Sequence, residues 1–363
     1  MSGIYAYVRR YLFVCAVLLA LCGCDAGLRE EGKASLKLVL NTPAYEPVLK
    51  SVSSAPDASG EWTQWERAVD GRYIYRATAF VLQGNRLVAH KDIQLDEEVQ
   101  EVTLDFDENF THGSYTLVVV ANYSPHEAED GSNGVRRYSG LEDFTAVYSD
   151  SFLDYKISST GGVCALKPQP LALLKTIDLH PGVNEIAGEL KRTYSRIRIT
   201  IDNNSDEQLK VSSLSFCNTF TQGSAFLLPG KGYLNDRSGI DVTSPDALTP
   251  FAGTATSPVV ISAQGMQVVF DAYILESQRT SADEVYSYSL GLSYGDKPVT
   301  APSVVNIPLR TIDNRTGQAV DVNEISRNDF INAVVKVSYS KNQGHFVYEV
   351  KGWESAGGDV SFN

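Results

Sequence analysis

Hydrophobic and polar residues alternate with a period of two along much of this chain. Leu36, Leu38 and Leu40 interleave with Lys37, Val39 and Asn41, which predicts a half-buried strand over 34–41. Ile197, Ile199 and Ile201 alternate in the same way with Arg196, Arg198 and Thr200. Tyr73–Gln83, then Gly84-Asn85, then Arg86–His90 reads as a β-hairpin. Val102, Leu104 and Phe106 alternate again, and Tyr115–Asn122 is almost continuously apolar, as in a strand covered on both faces. Further strands are predicted over 209–216, 259–262, 266–275, 286–293, 304–309, 333–339, 346–350 and 360–362. Gly, Pro, Ser, Asn and Asp interrupt nearly every segment within ten residues, so no helix is predicted. Short strands between turn residues predict an all-β chain of antiparallel sandwiches.

The length of 363 residues fits two such units. The turn His180-Pro181-Gly182 precedes a fresh strand series opening at Leu190-Lys191-Arg192, which predicts one sandwich over 34–190 and a second over 191–363. No internal repeat is visible in the residues. Three long irregular stretches, 42–72, 123–165 and 218–258, are longer than a compact domain ordinarily carries without a purpose, and are expected to be functional or mobile.

The first residues break the β pattern. Arg9 and Arg10 precede an apolar run, Tyr11–Leu21, that is too short for a membrane span of about 20 residues and suits the core of an export signal. It ends in Leu21-Cys22-Gly23-Cys24, which resembles the lipobox of bacterial lipoproteins. The expected division is a signal peptide over 1–23 and a lipidated tether over 24–33. Cys24 would carry the lipid, palmitate included, because small Gly23 precedes it and polar Asp25 follows; Cys22 and a plain secreted form are the alternatives. Lipid there would anchor the chain rather than thread it through the outer membrane. Asp25, Glu30 and Glu31 resemble the acidic surface-export segment of Bacteroidetes lipoproteins, and also suit a plain solvated tether.

The net charge is −13, from 31 Lys+Arg against 44 Asp+Glu. An acidic chain lacks the basic patches that nucleic acid requires, which excludes that partner. Of the five cysteines, only Cys164 and Cys217 lie beyond the signal and the lipidation site; they could form one disulfide or remain two thiols, and neither has zinc-site spacing. The five histidines are scattered without metal or catalytic spacing. Asp105-Phe106-Asp107-Glu108-Asn109 has the opening spacing of a calcium loop, but Phe110 stands where Gly is needed. No nucleophile elbow, P-loop or dinucleotide fingerprint occurs, so neither a cofactor nor an enzyme activity is expected. Trp62 and Trp65, three apart in the first long loop, are candidate ligand contacts, for instance stacking on a sugar.

Several short segments, in order, resemble the fimbrillin-type (type V pilus) proteins of Bacteroidales, a family of stalk, anchor and tip subunits. They are the lipobox, the strand Ala34–Asn41, Ala79–Asn85, the G-x-Y-x-L-x-x-x-A-N pattern of Gly113–Asn122, Leu190-Lys191-Arg192 followed by Ile197-Arg198-Ile199, Ile325–Phe330 and Val350-Lys351-Gly352-Trp353. The resemblance implies two transthyretin-like sandwiches in tandem. It also implies assembly with other fimbrial subunits by strand exchange, in which an Arg-specific protease removes the first strand and a neighbour's strand refills the groove. Here that strand would be 35–41, with Leu36, Leu38 and Leu40 as plugs. The cut would fall at Arg72, or at Arg67 or Arg76, and the donor would be the region Phe346 to Asn363.

The expected function is therefore a structural subunit, stalk or anchor, of a cell-surface fimbria held at the outer membrane through Cys24. The alternative is a surface lipoprotein that binds glycans through Trp62 and Trp65. A hydrolase on a sandwich scaffold has no motif in its favour.

Overall fold

The computed structural model describes residues 33–42, 73–122 apart from 85, 156–164, 170–295 apart from 218, 221–222, 235 and 238, then 303–312, 319–340 and 345–351. Among these residues every regular element is a strand. In chain order they are β1 (Ala34–Asn41), β2 (Ile74–Gln83), β3 (Arg86–Val99), β4 (Glu101–Asp105), β5 (Gly113–Ala121), β6 (Lys156–Ser158), β7 (Leu171–Leu179), β8 (Gly182–Glu189), β9 (Lys191–Arg192), β10 (Tyr194–Asn203) and β11 (Leu209–Phe216). There follow β12 (Ser224–Phe226), β13 (Val259–Ile261), β14 (Met266–Leu275), β15 (Ser277–Gln278), β16 (Ser287–Tyr294), β17 (Ser303–Pro308), β18 (Arg310–Ile312), β19 (Ala319–Asp321), β20 (Glu324–Ile325), β21 (Phe330–Ser340) and β22 (His345–Lys351).

Two cores separate along the chain. The first lies between the sheet β4-β1-β8 and the sheet β3-β2-β5-β7-β9. Leu36, Leu38, Leu40, Val102 and Leu104 fill it from one side, and Ala77, Val81, Leu117 and Val119 from the other. Edge-to-face contacts of Phe110 with Phe106 and with Tyr115, at 6.0 and 5.8 Å, add the directional attraction of ring quadrupoles to their burial. The second core lies between β14-β10-β21-β22 and β13-β11-β16-β17, around Ile197, Ile199, Ile201, Phe270, Tyr288 and Val335.

The two sandwiches repeat one strand order, although their residues show no repeat. β1 pairs antiparallel with β4 and parallel with β8; β10 pairs antiparallel with β14 and parallel with β21. β2 joins β3 and β5, and β5 joins β7; β11 joins β13 and β16, and β16 joins β17, all antiparallel. The sandwiches are thus not purely antiparallel, because the first and last strands of each lie side by side and run the same way. The second sandwich adds β22, hydrogen-bonded antiparallel to the outer edge of β21 from Val334 to Ser340.

The repeat breaks at one connection. β2 turns into β3 through Gly84-Asn85, with Gly84 at φ 61° as a tight hairpin requires. The corresponding link between β11 and β13 spans 217–258, and most of it lies among the described residues. Phe220, Ile240 and Phe251 enter the second core. Ala225, Leu227 and Leu228 join a third cluster, where they meet Phe80, Leu82, Val118 and Val120 on the outer face of the first sandwich. β12 in this link pairs with β6, from the end of the second long irregular stretch. Two stretches expected to be functional or mobile thus meet at the junction of the sandwiches.

Candidate functional site

The site singled out by sequence is the place occupied by β1. Its alternation is complete: Leu36, Leu38 and Leu40 point inward and are buried, while Lys37 and Val39 are half-buried on the outer face. A Leu side chain taken fully out of water contributes about 2 kcal/mol, so these three plugs are the main apolar hold on the strand. Main-chain bonds run along both edges. The register pairs Leu38 with Leu104 on β4 and with Ile186 on β8. Past the strand ends, Ala34 N donates to Phe110 O and Leu190 N to Asn41 O, each at 2.9 Å. Gly188 lets β8 press against the plug: a Cβ there would sit 2.5 Å from Leu173 Cδ2 and 3.3 Å from Leu40 Cδ2.

Among the described residues, polar fixing of β1 is slight. Lys37 Nζ reaches Glu185 Oε2 at 3.0 Å in an exposed pair, and Asn184 Nδ2 donates to Ser35 O at 3.2 Å. An exposed pair of this kind is worth at most about 1 kcal/mol. The counterpart strand β10 is held quite differently. Arg196 donates through Nε and Nη2 to Asp271 on β14 at 2.8 and 2.7 Å, and Arg198 Nε reaches the same carboxylate at 2.8 Å. Burial alone would push the Asp271 carboxyl up, but the charges and hydrogen bonds of the two guanidiniums outweigh it and hold the group below its ordinary value. Arg196 also stacks over Tyr273 and Phe330. β10 is pinned by buried charge and tied to the chain through β9 on its N-terminal side, whereas β1 is held by apolar fit and main-chain bonds.

The free edge of β8, next to this site, is guarded. Lys175 Nζ donates to Ala187 O, a carbonyl of the outer edge, at 3.1 Å, while Asn184 Nδ2 closes the turn before β8 on His180 O and Gly182 O at 2.7 and 3.1 Å. Glu185 and Glu189 are exposed. A side chain that occupies an edge carbonyl, together with charges along the edge, opposes the addition of a further strand. The place of β1 is therefore an interior slot beside a protected rim.

Of the other residues singled out by sequence, Cys24, Trp62, Trp65, Arg67 and Arg72 lie outside the described residues. Arg76 lies within β2 and is 8 % exposed, so a protease would reach it only after that strand left the sheet. Cys164 and Cys217 are free thiols in this structure, Cys164 buried and Cys217 half-buried. Cys164 is buried in the junction cluster, while Cys217 Sγ donates to Val285 O at 3.1 Å and accepts from Ser287 N at 3.2 Å beside the second core. In the stretch with calcium-loop spacing, Phe106 and Phe110 are buried and Asp107 pairs with Lys91 at 2.8 Å. Of the donor region, 346–351 belongs to β22, seated on β21, and 352–363 lies outside the described residues.

Sequence reasoning missed the residues that tie the turn after β20 to the rest. Arg192 donates to Asn328 Oδ1, Ser195 Oγ to Ser326 O at 2.6 Å, and Asn328 N to Tyr194 O at 3.2 Å. In that turn, burial raises the Asp329 carboxyl from 3.8 to about 6, against the lowering effect of the Ser326 N–H and with the help of the Glu324 charge. Between about pH 4 and 6 the folded chain keeps a proton that the unfolded chain has released, so this group makes stability fall as pH rises through that window. Asp329→Asn keeps an acceptor for Ser326 N and will abolish that slope, with a gain of about 2 kcal/mol at pH 7 in urea unfolding.

No family model matches this chain, and no curated protein matches it. Among solved structures, it is similar to a putative cell adhesion protein from Parabacteroides distasonis ATCC 8503, at 11 % identity and a TM-score of 0.48, over 89 % of this chain and 98 % of that one. The tip fimbrial protein Mfa3 from Porphyromonas gingivalis, truncated at its C-terminus, matches at 11 % identity and a TM-score of 0.48, over 88 % of this chain and 100 % of that one. A fimbrilin from Porphyromonas gingivalis W83 matches at 13 % identity and a TM-score of 0.47, over 88 % of this chain and 97 % of that one.

Proposed function

We propose that this chain is a structural subunit of a cell-surface fimbria of the Bacteroidales fimbrillin type, exported as a lipoprotein and assembled by exchange of β1. The observation that carries this reading is the contrast between two equivalent strands. Among the described residues, β10 is fixed by buried ion pairs, while β1 fills an interior slot with Leu36, Leu38 and Leu40 and one exposed ion pair. A strand held by main-chain bonds and apolar plugs is replaceable by any other strand with the same alternation, since β-augmentation takes its strength from the backbone and its register from side-chain pockets. The incoming strand must run antiparallel to β4 and parallel to β8, because the hydrogen-bonding groups of both rims are fixed in those directions. The neighbouring edge of β8 is guarded, which directs the incoming strand to the slot. The lipobox supplies the route to the outer membrane, with lipid on Cys24.

Two experiments test this. Brief digestion with an Arg-specific protease, followed by electrophoresis without boiling, will give a ladder of detergent-resistant oligomers whose new N-terminus follows Arg67 or Arg72. A monomer with an intact β1 under these conditions would mean that the strand is not released in this way. Cells fed a tagged palmitate analogue will label the full chain and not the Cys24→Ala variant; equal labelling of both would remove the lipid anchor from the account.

A further inference from the structure

We propose that the two sandwiches are locked into one cooperative unit, and that Arg327 is the clasp that holds the connection between β11 and β13 against the first sandwich. This inference does not depend on the fimbrial reading. Arg327 stands in the turn between β20 and β21, beside Asn328 at φ 67°. Its guanidinium donates to both oxygens of Glu276, from Nε to Oε2 at 2.9 Å and from Nη2 to Oε1 at 2.6 Å. It also donates to Leu227 O at 2.6 Å and to Phe226 O. The Arg327 and Glu276 side chains are 6 % and 10 % exposed.

The two carbonyls belong to the segment that packs on the outer face of the first sandwich. Withdrawing the guanidinium leaves them and a carboxylate without their strongest partner in a site nearly closed to water. The segment then gains by moving outward, because unpaired buried polar groups are costly and water can satisfy them. The same segment is stitched to the chain before β7, where β12 pairs with β6 and Ser159 N donates to Gly223 O at 3.2 Å, and that chain is in turn tied to β14 by Cys164 N donating to Tyr273 O at 2.9 Å. The link between the sandwiches offers no hinge, since Thr193 donates through its N and Oγ1 to Pro170 O and β9 pairs with β7. Release at Arg327 therefore opens the junction cluster rather than bending the linker.

Cys164 reports on this opening. It is fully buried in the junction cluster, and burial raises its thiol pKa well above the ordinary value, so it is inert until the cluster parts. The test uses the chain from Asp25 to Asn363, in which Cys164 and Cys217 are the only thiols. Alkylation is followed residue by residue by mass spectrometry, alongside calorimetry. The wild type will show one calorimetric transition and protect Cys164. Arg327→Met will label Cys164 roughly a hundredfold faster while Cys217 changes little. Glu276→Gln, a milder change that keeps one acceptor, will accelerate Cys164 to a smaller degree and decides the matter should Arg327→Met not fold. Two separate transitions in the wild type, or Cys164 labelling unchanged in every folded variant, would overturn the proposal.

Discussion

Asp271→Asn will cost about 3–5 kcal/mol of folding stability, the largest single loss expected outside the hydrophobic cores. The Asp271 carboxylate is the shared partner of Arg196 and Arg198, and both sides of the pair with Arg196 are buried. Asparagine can accept from one guanidinium but carries no charge, so two cations remain in a site that no longer compensates them. Arg198→Met will cost less, because Arg198 is more exposed than Arg196 and the Arg196–Asp271 pair survives. Urea unfolding of the two variants measures the difference. Equal and small losses would mean that apolar fit, as in β1, is what holds β10.

Leu38→Ala will have an effect of similar size for another reason. Leu38 sits at the middle of β1, wholly buried, with Leu36 and Leu40 as its neighbours on the same face. Removing it forfeits the transfer energy of the side chain and leaves a cavity between two sheets that cannot close fully, a cost of about 3–5 kcal/mol. The loss falls on the slot. Amides of β4 and β8 that face β1 will exchange hydrogen faster, while those of β10 and β21 keep their protection. Lys37→Ala, which removes only the exposed pair with Glu185, will change stability by less than about 1 kcal/mol. A Leu38→Ala effect no larger than that of Lys37→Ala would show that the plugs do not hold the strand.

How legible these features are in the sequence depends on where each strand lies. β1 and β10 alternate cleanly because one face of each meets a core and the other meets water or charge. The β2–β3 hairpin shows in its Gly-Asn turn. β7 and β8 were not predicted, for opposite reasons. β7 opens on Leu-Ala-Leu-Leu because its outer face is covered by the second sandwich, and it ends in exposed polar positions, so no single period runs through it. β8 is an edge strand, largely exposed, with few apolar residues to mark it. The repeated strand order is hidden because a fold position constrains the pattern and not the residue: three leucines plug one slot and three isoleucines the other. The stretch 218–258 reads as a loop because its buried residues serve two clusters and follow neither period. Arg327 and Glu276 are far apart in sequence, and nothing local marks them as partners.

The slot of β1 is the centre of this account, and exchange of the strand tests it most directly. A chain cut once within 42–72, leaving β1 bound but no longer tethered to β2, is mixed with a labelled peptide of sequence Ala34–Asn41 in excess. The peptide will replace the native strand at up to one per chain, the displaced segment will be recovered free, and a peptide with aspartate at the positions of Leu36, Leu38 and Leu40 will not enter. Retention of the native strand with no uptake of peptide, or equal uptake of the aspartate peptide, would contradict it.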